Sequence, residues 1–488
     1  MTKRVVIIGN GMAGARLQEE LHRRDPDGSH ITSVVIGEEP TAAYNRILMS
    51  NVVAGRISPA DTMIRGTNWY RERNLQTHTG VRVERVDRTD QTVHCSDGTV
   101  HRYDKLVFAT GSRAFIPPIA GALDGEGRPL PGVVAFRNLR DCEAIVSALG
   151  ESASGKSIRV VVVGGGLLGL EAARGAHLQG AAVTVVHPRS HPMEKQLDSA
   201  GGAVLTRILR EIGMDVVLGG RVSAIRDDPR TGREVVLTDG STLGADLIIV
   251  TAGIAPNVDV AADAGLAVDR GIVVDDELRT SDRSVYAIGE CAQHRDIVYG
   301  LVQPGWEMAE TVAQNLIGDT QVGYEGTQQI LRLKAHDIDL ASMGEVDTDP
   351  NDLEAEVLTL SDPHRGRYAK VVVRKDRVAG AVLLGNPEVV GTISQLFDSG
   401  APVPSDRMRL LLGHLTGGAT ESASPAQMPG DAIICRCNTV SKKNLTDAWR
   451  KGARSAGAMA EATRATTGCG SCESVVDGLC DWLKTADA

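Results

Sequence analysis

The sequence lacks any apolar run long enough to cross a membrane. A membrane-spanning helix needs about 20 consecutive apolar residues, and no stretch here approaches ~18. The sequence also lacks a surplus of basic residues, because 52 Lys and Arg stand against 62 Asp and Glu, which gives a formal net charge of -10. A chain without a basic stripe has little with which to neutralise nucleic-acid phosphates. We therefore expect neither a membrane nor a nucleic acid as a partner.

No leader and no disulfide framework are evident either. Thr2, Lys3 and Arg4 run directly into an apolar strand that the fold needs, which argues against a cleaved signal peptide. Of the eight cysteines, none precedes Cys95, and four form two close pairs near the end of the sequence. This distribution fits a reduced, cytoplasmic chain with one cysteine-ligated site better than a set of disulfides.

The strongest motif that is present lies at the start. Val5–Gly14 reads VVIIGNGMAG, a buried strand followed by glycines in the spacing GxGxxG and then by a helical run. Gly9 makes the turn, Gly11 lets the backbone approach a ligand, and Gly14 lets the helix pack closely on the strand. The helix N-terminus that follows favours an anion such as a pyrophosphate. The alternative for a single GxGxxG is a tight turn without a ligand.

A second copy of this pattern supports the dinucleotide interpretation. Val160–Val163 precedes Gly164, Gly166 and Gly169, and Glu171 follows on the predicted helix. Two such units in one chain predict two bound dinucleotides. Hydride transfer between a bound flavin and a nicotinamide donor is the usual reason for carrying both.

Five positions around the first unit are candidate flavin contacts. Glu38 follows the second predicted strand, where a carboxylate can hydrogen-bond a ribose, and Glu290 ends the segment YAIGE, where a carboxylate can bind a ribityl hydroxyl. Thr110 and Gly111 end the buried strand LVFATG in a compact turn that can face the flavin. Arg46 lies in a loop from which it can reach a phosphate or the flavin, and the alternative is an ordinary surface arginine.

The second unit differs at the position that distinguishes the two nicotinamide cofactors. Its second strand, Ala182–Val186, ends in His187, Pro188 and Arg189 and not in the carboxylate that would hold the 2'-hydroxyl of NAD. The choice between NADH and NADPH therefore stays open on this ground. His187 either hydrogen-bonds the adenosine ribose or caps the strand end. Gly253 closes a strand and turn of the same kind as LVFATG.

The grouped cysteines predict a metal centre. Cys435 and Cys437 form a CxC pair, and Cys469 and Cys472 form a CxxC pair. Two close pairs of thiolates are the ligand set of a 2Fe-2S cluster or of a structural zinc. The CxC spacing and the glycines at 468 and 470 favour the cluster over zinc or free thiols. We expect both pairs at helix N-termini, where backbone dipoles favour an anionic cluster, and Cys480 as a core side chain.

These patterns predict an α/β fold in several parts. Alternating strands and turns from Leu331 to Val390 are typical of a small antiparallel α+β unit, and a Gly-, Ser-, Ala- and Pro-rich stretch follows Leu412. The predicted parts are a Rossmann-like FAD-binding domain (1–132 and 276–322), a Rossmann-like NAD(P)H-binding domain (133–275), an α+β domain (323–412), a flexible linker (413–430) and a small helical 2Fe-2S domain (431–488).

Taken in order, GxGxxG, ATG, the second glycine motif and YAIGE resemble the FAD-dependent pyridine nucleotide-disulfide oxidoreductase superfamily over about Val5–Leu412. The segments Val183–Asp198 and Ala287–Ala309 are similar to the flavoprotein part of NAD(P)H nitrite reductase large subunits and to electron-transfer subunits of assimilatory nitrate reductase. The resemblance implies FAD in the first unit and NADH in the second. It carries Gly9, Gly11, Gly14, Glu38, Arg46, Thr110, Gly111 and Glu290 over as FAD contacts, and Gly164, Gly166, Gly169 and Glu171 as the lining of the nicotinamide site.

The sequence departs from the disulfide reductases of that superfamily. It has no redox-active cysteine pair beside the first unit, so electrons must leave the flavin by another route. The C-terminal module resembles bacterioferritin-associated ferredoxin, a helical 2Fe-2S domain, and offers that route. NADH delivers two electrons together and a 2Fe-2S cluster accepts one at a time, so the flavin acts as the converter and no catalytic side chain is expected.

The resemblance also implies a class of partner. Nitrite reductase large subunits continue into a sirohaem and 4Fe-4S region, whereas this sequence ends at Ala488 without one, so we expect that it does not reduce nitrite alone. The favoured partner is the molybdenum catalytic subunit of an assimilatory nitrate reductase. The alternatives are a separate nitrite reductase, a ferredoxin or an oxygenase. A non-enzymatic alternative is a redox-sensing protein, or one that docks an iron store.

Overall fold

The computed structural model describes residues 2–150, 157–228, 232–318, 320–335, 338–412, 428–436, 438–468, 470 and 472–486. Two of the predicted cluster ligands, Cys437 and Cys469, lie outside the described residues, as does 413–427 of the predicted linker.

The chain opens with a strand, a glycine turn and a helix, as the first motif predicts. Four successive apolar residues bury the strand on both faces, which suits the centre of a parallel sheet. Three short strands farther along the chain form an antiparallel meander. The elements are β1 (Lys3–Ile8), α1 (Met12–Arg24), β2 (Ile31–Gly37), α2 (Met49–Val53), α3 (Thr67–Glu72), β3 (Gln76–Thr79), β4 (Val83–Asp87), β5 (Thr92–Cys95), β6 (Val100–Arg102), β7 (Lys105–Phe108) and β8 (Ser112–Ala114).

The middle of the chain repeats this order. A second all-apolar strand leads into a glycine turn and a helix, and a second meander follows. The elements are β9 (Val133–Ala135), α4 (Leu139–Gly150), β10 (Arg159–Val163), α5 (Leu167–Leu178), β11 (Ala182–His187), α6 (Ser199–Glu211), β12 (Asp215–Leu218), β13 (Val222–Asp228), β14 (Gly232–Leu237), β15 (Thr242–Ala245), β16 (Leu247–Val250), β17 (Ile254–Pro256) and α7 (Asp259–Asp263).

The chain then returns to the first sheet through β18 (Ile272–Val274), β19 (Val285–Ala287), β20 (Ala292–His294) and α8 (Val302–Ile317). The first sheet is parallel with the order β19-β7-β1-β2-β3, and the second is parallel with the order β12-β11-β10-β16-β9. In each sheet the direction of winding reverses beside the strand that precedes the glycines. Ligands of open α/β sheets bind at such a switch point, outside the carboxyl ends of the strands.

The next part is the antiparallel α+β unit that the alternation predicts. Five strands in the order β21-β22-β25-β24-β23 carry two helices, and alternate residues of the strands build a separate core. The elements are β21 (Ile330–Ala335), β22 (Ile338–Gly344), β23 (Glu356–Asp362), β24 (Arg367–Arg374), β25 (Arg377–Leu384), α9 (Pro387–Ser399) and α10 (Arg409–Leu412).

The C-terminal part is small and mainly helical. It contains β26 (Ile433–Cys435), β27 (Val440–Ser441), α11 (Lys442–Arg450), α12 (Ala456–Thr463) and α13 (Glu473–Ala486) around a core that includes Cys480. Cys472 directly precedes α13, as expected. The expectation that the first pair also lies at a helix N-terminus is wrong for Cys435, which ends β26, because a turn with Thr439 at φ 51° and the strand β27 separate it from α11. Among the helices that the structure describes, none is long and apolar enough to cross a membrane.

Candidate functional site

The glycines of the first motif divide into two kinds. Gly9 has φ +116°, and a Cβ there would lie 2.1 Å from the carbonyl oxygen of Ala109. A Cβ on Gly14 would lie 1.9 Å from the carbonyl oxygen of Gly9. Gly11 is the N-cap of α1, and a Cβ there would meet no atom within 4 Å. Packing therefore requires Gly9 and Gly14, whereas Gly11 borders open space in front of a helix N-terminus.

The second motif repeats this geometry. Gly164 has φ +119°, and its Cβ would lie 2.7 Å from the carbonyl oxygen of Thr251. A Cβ on Gly169 would lie 2.0 Å from the carbonyl oxygen of Gly164. Gly166 is the N-cap of α5, and nothing lies within 4 Å of a Cβ there. The chain therefore builds the same open cradle twice, once at the switch point of each sheet.

Both cradles fit a dinucleotide pyrophosphate. Neither α1 nor α5 has an acidic residue in its first turn, so no carboxylate opposes an anion at either helix N-terminus. In the first cradle, the buried Oδ1 atom of Asn10 has no hydrogen-bond partner among the described residues. A buried polar atom of this kind requires a partner from water or a ligand.

The other predicted flavin residues lie at the carboxyl edge of the first sheet. Glu38 follows β2 and is exposed, Thr110 and Gly111 follow β7, and Glu290 follows β19. The Thr110 hydroxyl donates to the Asn257 carbonyl at 2.7 Å, and the Asn257 amide donates back to the Thr110 carbonyl at 2.9 Å. This pair fixes the turn in which Gly111 has φ +64°. The topology thus brings these four residues to one edge.

Glu290 is held by a residue that sequence reasoning missed. Arg137, just after β9, forms an ion pair with the Glu290 carboxylate, which also accepts a hydrogen bond from the Ser112 hydroxyl at 2.8 Å. The Arg137 Nε atom donates to the Ser112 carbonyl at 3.2 Å. No sequence signal marks Arg137, because the two residues lie far apart in the chain and belong to different sheets.

Arg46 is not an ordinary surface arginine. Its guanidinium pairs with Glu39, donates to the Arg137 carbonyl at 2.8 Å and lies 4.8 Å from the centre of the Tyr44 ring. The Tyr44 hydroxyl also donates to Glu39 at 2.7 Å. Glu39 therefore orients Arg46 at the edge of the first sheet, and its neighbour Glu38 is left facing outward.

At the second cradle, His187 is buried and bound by protein groups. Its Nδ1 atom accepts from the Gly165 amide at 3.1 Å, and its Nε2 atom lies 3.0 Å from the Glu194 carboxylate. Burial lowers the pKa of His187, which favours the neutral ring that this acceptor role needs. These contacts favour the alternative in which His187 caps the strand end, and the group that it holds there is the Gly165 amide of the glycine turn. Glu171 lies on α5, and Gly253, with φ +131°, follows β16 at the same edge.

The described pair of predicted cluster ligands faces inward together. Cys435 and Cys472 are both buried, and a hydrogen bond between their sulfur atoms is the main reason that the pKa of Cys435 falls to about 6. The backbone amides of Asn438 and Thr466 also favour the Cys435 thiolate, and the Asn438 side chain lies 3.7 Å from its sulfur. Thiolates supported by N–H groups are the donors that a 2Fe-2S cluster needs. Within the described ranges no group of three or more possible metal ligands occurs, and Cys437 and Cys469 lie outside them.

The three cysteines of the two glycine-cradle units form no pair. Cys95, Cys142 and Cys291 are each buried as free thiols in separate surroundings. Burial raises the pKa of Cys142 to about 12, and burial also raises that of Cys291. A thiol held protonated is a poor nucleophile. These residues therefore offer no dithiol for reaction with a flavin.

Three family models match the chain. They are described as pyridine nucleotide-disulphide oxidoreductase, over residues 3–315, rubredoxin NAD+ reductase C-terminal domain, over 330–401, and BFD-like [2Fe-2S] binding domain, over 433–481. The first corresponds to the two sheets with glycine cradles, the second to the α+β unit, and the third to the part that holds the cysteine pairs.

Among curated proteins, a nitrite reductase [NAD(P)H] of Bacillus subtilis is 36% identical and aligns with 98% of this chain and 57% of its own length. An assimilatory nitrate reductase electron transfer subunit of the same organism is 33% identical and aligns with 99% of this chain and 60% of its own length. The chain thus spans little more than half the length of these relatives. Among solved structures, the covalent putidaredoxin reductase-putidaredoxin complex has a TM-score of 0.74 at 26% identity, with 88% of this chain and 99% of that chain covered.

Proposed function

The chain belongs to the pyridine nucleotide-disulphide oxidoreductase family, and on this premise we propose that it passes electrons from NADH through FAD to a 2Fe-2S cluster and on to a separate protein. It is an NAD(P)H-dependent flavoprotein oxidoreductase that binds FAD, NAD(P)H and, through its BFD-like domain, a 2Fe-2S cluster. The preference for NADH, the order of transfer and the identity of the acceptor are parts of the proposal.

One observation carries the order of transfer. The two cradles account for a two-electron donor and a flavin. Cys95, Cys142 and Cys291 are buried singly in the units that build the cradles, so they provide no dithiol acceptor. The paired cysteines Cys435 and Cys472 lie instead in the C-terminal unit. When bound, FAD exchanges a hydride with a nicotinamide and gives up electrons singly, which suits a one-electron acceptor such as a 2Fe-2S cluster.

The residues of this chain bind and orient; none is proposed as an acid, base or nucleophile. Gly9, Gly11 and Gly14 with the N-terminus of α1 hold the FAD pyrophosphate, and Gly164, Gly166 and Gly169 with α5 hold that of the nicotinamide cofactor. Glu38, Arg46, Thr110, Gly111 and Glu290 complete the FAD site, Glu171 and Gly253 complete the other, and His187 supports the glycine turn of the second cradle. Cys435, Cys437, Cys469 and Cys472 are the proposed cluster ligands.

We also propose the domain limits: 1–132 and 276–322 for FAD, 133–275 for NAD(P)H, 323–412 for the α+β domain, 413–430 for the linker and 431–488 for the cluster. A cytoplasmic location is part of the same proposal. The three family matches and the two separate parallel sheets support the order of the parts.

We propose the molybdenum catalytic subunit of an assimilatory nitrate reductase as the acceptor. The similarity to an electron transfer subunit of such an enzyme, along almost the whole chain, supports this choice. A second candidate is a small ferredoxin. It is favoured by the likeness to a reductase solved in complex with putidaredoxin.

The test of the electron route is an anaerobic NADH titration of the holoprotein, followed by visible spectra and by low-temperature EPR. We expect the flavin absorbance to bleach and a reduced 2Fe-2S signal to grow with it. Bleached flavin without an iron signal, together with zinc in metal analysis, would contradict the route.

The acceptor is tested separately by adding purified nitrate reductase catalytic subunit, or a 2Fe-2S ferredoxin, to the NADH-reduced protein. NADH-dependent nitrate reduction supports the first candidate. Stoichiometric ferredoxin reduction without nitrate reduction supports the second.

A further inference from the structure

The C-terminal unit is packed against the reductase through both of its predicted cysteine loops. Arg436, between Cys435 and Cys437, forms an ion pair with Asp398 of α9, with one nitrogen–oxygen distance of 3.0 Å, and lies 3.4 Å from the Ser394 carbonyl. The carbonyl oxygens of Thr467 and Gly468, just before Cys469, accept hydrogen bonds from the Asn45 amide at 2.9 and 3.1 Å. One loop is therefore held by the α+β unit and the other by the first unit.

Asn45 connects the cluster loop to the edge of the flavin site. Its Oδ1 atom accepts from the Ile47 amide at 3.0 Å and so caps the short helical turn Arg46–Leu48. Its Nδ2 atom makes the two contacts with the cluster loop. Asn45 is only 4% exposed, so these hydrogen bonds are largely shielded from water. The next residue is Arg46, which Glu39 and the Arg137 carbonyl fix at the proposed FAD site.

A buried charge reinforces the contact. Glu19 on α1, with a side chain 2% exposed, pairs with Arg464 of the C-terminal unit, and its other oxygen lies 3.3 Å from Nε of Arg65. Arg464 is the C-cap of α12 and has φ 65°, which directs the chain into the loop that contains Thr467 and Gly468. The Glu19–Arg464 pair therefore links α1 of the first unit to the C-terminal unit, while Arg65 pairs with the same carboxylate from within the first unit.

We propose that Asn45, with Glu19 and Asp398, docks the 2Fe-2S domain on the reductase as the arrangement in which the cluster is reduced. This rests on the proposed function. The flexible linker predicted from the sequence suggests a tethered domain that moves. The contacts described above instead hold both cysteine loops against the reductase. Overall, one NADH reduces two oxidised clusters in turn and yields NAD+, two reduced clusters and one proton, with each cluster taking one electron. Asn45 is thus a positioning residue for the second half of this reaction.

The most discriminating test keeps the capping oxygen of the Asn45 side chain and removes its N–H donations to the cluster loop. Asn45→Asp keeps an oxygen that can cap the Arg46–Leu48 turn and has no N–H to donate to Thr467 and Gly468. Asn45→Ser also keeps a capping oxygen, and its single O–H cannot replace the two N–H donations. We expect NADH to bleach the flavin at the unaltered rate in stopped-flow experiments, while cluster reduction slows about tenfold because two buried hydrogen bonds are lost.

A second anchor and its control are available in the α+β unit. Asp398→Asn removes the partner of Arg436, and Asp362→Asn removes the carboxylate of an Arg365 pair, at 3.0 Å, within the same unit. We expect Asp398→Asn to slow cluster reduction and Asp362→Asn to leave it unchanged. Hydrogen–deuterium exchange should rise in peptides that cover Arg46–Leu48 and Pro387–Ser399 only in the docking variants.

The outcomes are distinguishable. Cluster reduction at the unaltered rate in both Asn45 variants, or an equal slowing of flavin bleaching, overturns the docking role while the proposed function stands. If the unaltered protein bleaches its flavin and never reduces its cluster, the proposed function fails and the docking role fails with it. Slowed cluster reduction with normal bleaching and raised exchange supports the proposal.

Discussion

The Tyr368 hydroxyl of the α+β unit donates a hydrogen bond of 2.6 Å to the Asp198 carboxylate of the second unit. The same carboxylate accepts from the Lys370 ammonium at 3.1 Å and, through its other oxygen, from the Gly201 amide at 2.9 Å, where Asp198 is the N-cap of α6. One buried carboxylate thus caps a helix and joins two parts of the chain.

Asp198→Ala should therefore destabilise the protein strongly. It removes a helix cap and leaves the buried Lys370 ammonium without its carboxylate, and breaking a buried pair costs about 3–5 kcal/mol. Tyr368→Phe, which removes one hydrogen bond, should cost about 1 kcal/mol. Thermal and urea unfolding of both variants measure the difference, and equal costs would contradict the role assigned to the Asp198–Lys370 pair.

In the first cradle, alanine substitutions at different glycines should separate an effect on FAD binding from an effect on folding. Gly11→Ala places a methyl group in open space, so the chain should fold but retain much less FAD. Gly9→Ala forces a Cβ against the Ala109 carbonyl at a positive φ and should impair folding itself. FAD content and circular dichroism of the two purified variants check this. A Gly11 variant with full FAD occupancy would show that the pyrophosphate lies elsewhere.

The second cradle predicts loss of one cofactor only. Gly166→Ala should weaken NADH binding while FAD content, visible spectrum and Tm stay close to those of the unaltered protein. The measurements are a rise in KM for NADH and a slower anaerobic bleaching of flavin, with dithionite reduction of the flavin as the control. Equal loss of FAD would mean that the two cradles do not serve separate cofactors.

The C-terminal unit contains proposed cluster ligands and also a core cysteine, so variants of the core cysteine serve as a matched control for variants of the ligands. Cys435→Ser and Cys472→Ser should abolish the reduced 2Fe-2S EPR signal and lower iron content to a small fraction. Cys480→Ser should keep both, because Cys480 lies in the core of the same unit. Its cost should be a lower Tm. Normal iron content in either of the first two variants would exclude that cysteine as a ligand.

Asp25 should contribute to the free energy of unfolding in a way that depends on pH in the acid range. Burial opposes its ionisation, but hydrogen bonds from the Ile31 and His30 amides and from the His30 and Ser29 side chains outweigh burial and hold the pKa of Asp25 at about 2. Because the pKa is lower in the folded state, this contribution is complete above the ordinary value of 3.8 and is lost as pH falls from there to about 2. The Tm advantage over Asp25→Asn should shrink across that interval, and a constant difference would contradict the assignment.

Local pattern was enough to predict both Rossmann-like units, the α+β sheet and the small helical unit. The reason is that each begins with a signal confined to neighbouring residues. The spacing of Gly9, Gly11 and Gly14 between a strand and a helix can be recognised from neighbouring residues alone. The pattern of strand residues in β24 and β25 is likewise visible in the sequence. Element ends were less certain. For example, the strand expected over Ala182–Val186 ends at His187 in the structure.

The contacts across units were not predictable in this way. Arg137 meets Glu290, and Asn45 meets Gly468, only because distant segments are brought together by the winding of the sheets. Glu39, and not the exposed Glu38, binds Arg46, a choice that depends on the direction in which the chain leaves β2. Sequence spacing carries no information about such pairs, and an isolated arginine or asparagine has no motif.

The first sheet is interrupted in the sequence by the whole of the second sheet, and this order affects how the chain folds during synthesis. Strand β19 pairs with β7, so the sheet that starts with β1 gains its last strand only when Val285–Ala287 has left the ribosome. The second sheet is finished by Val250 and can close earlier, although its strands come later than β1. Strand β7 ends at Phe108 and β19 at Ala287, so at about 5–20 residues per second the edge at β7 stays open for roughly 9–36 s. We expect this nascent edge to be the point at which chaperones are most needed.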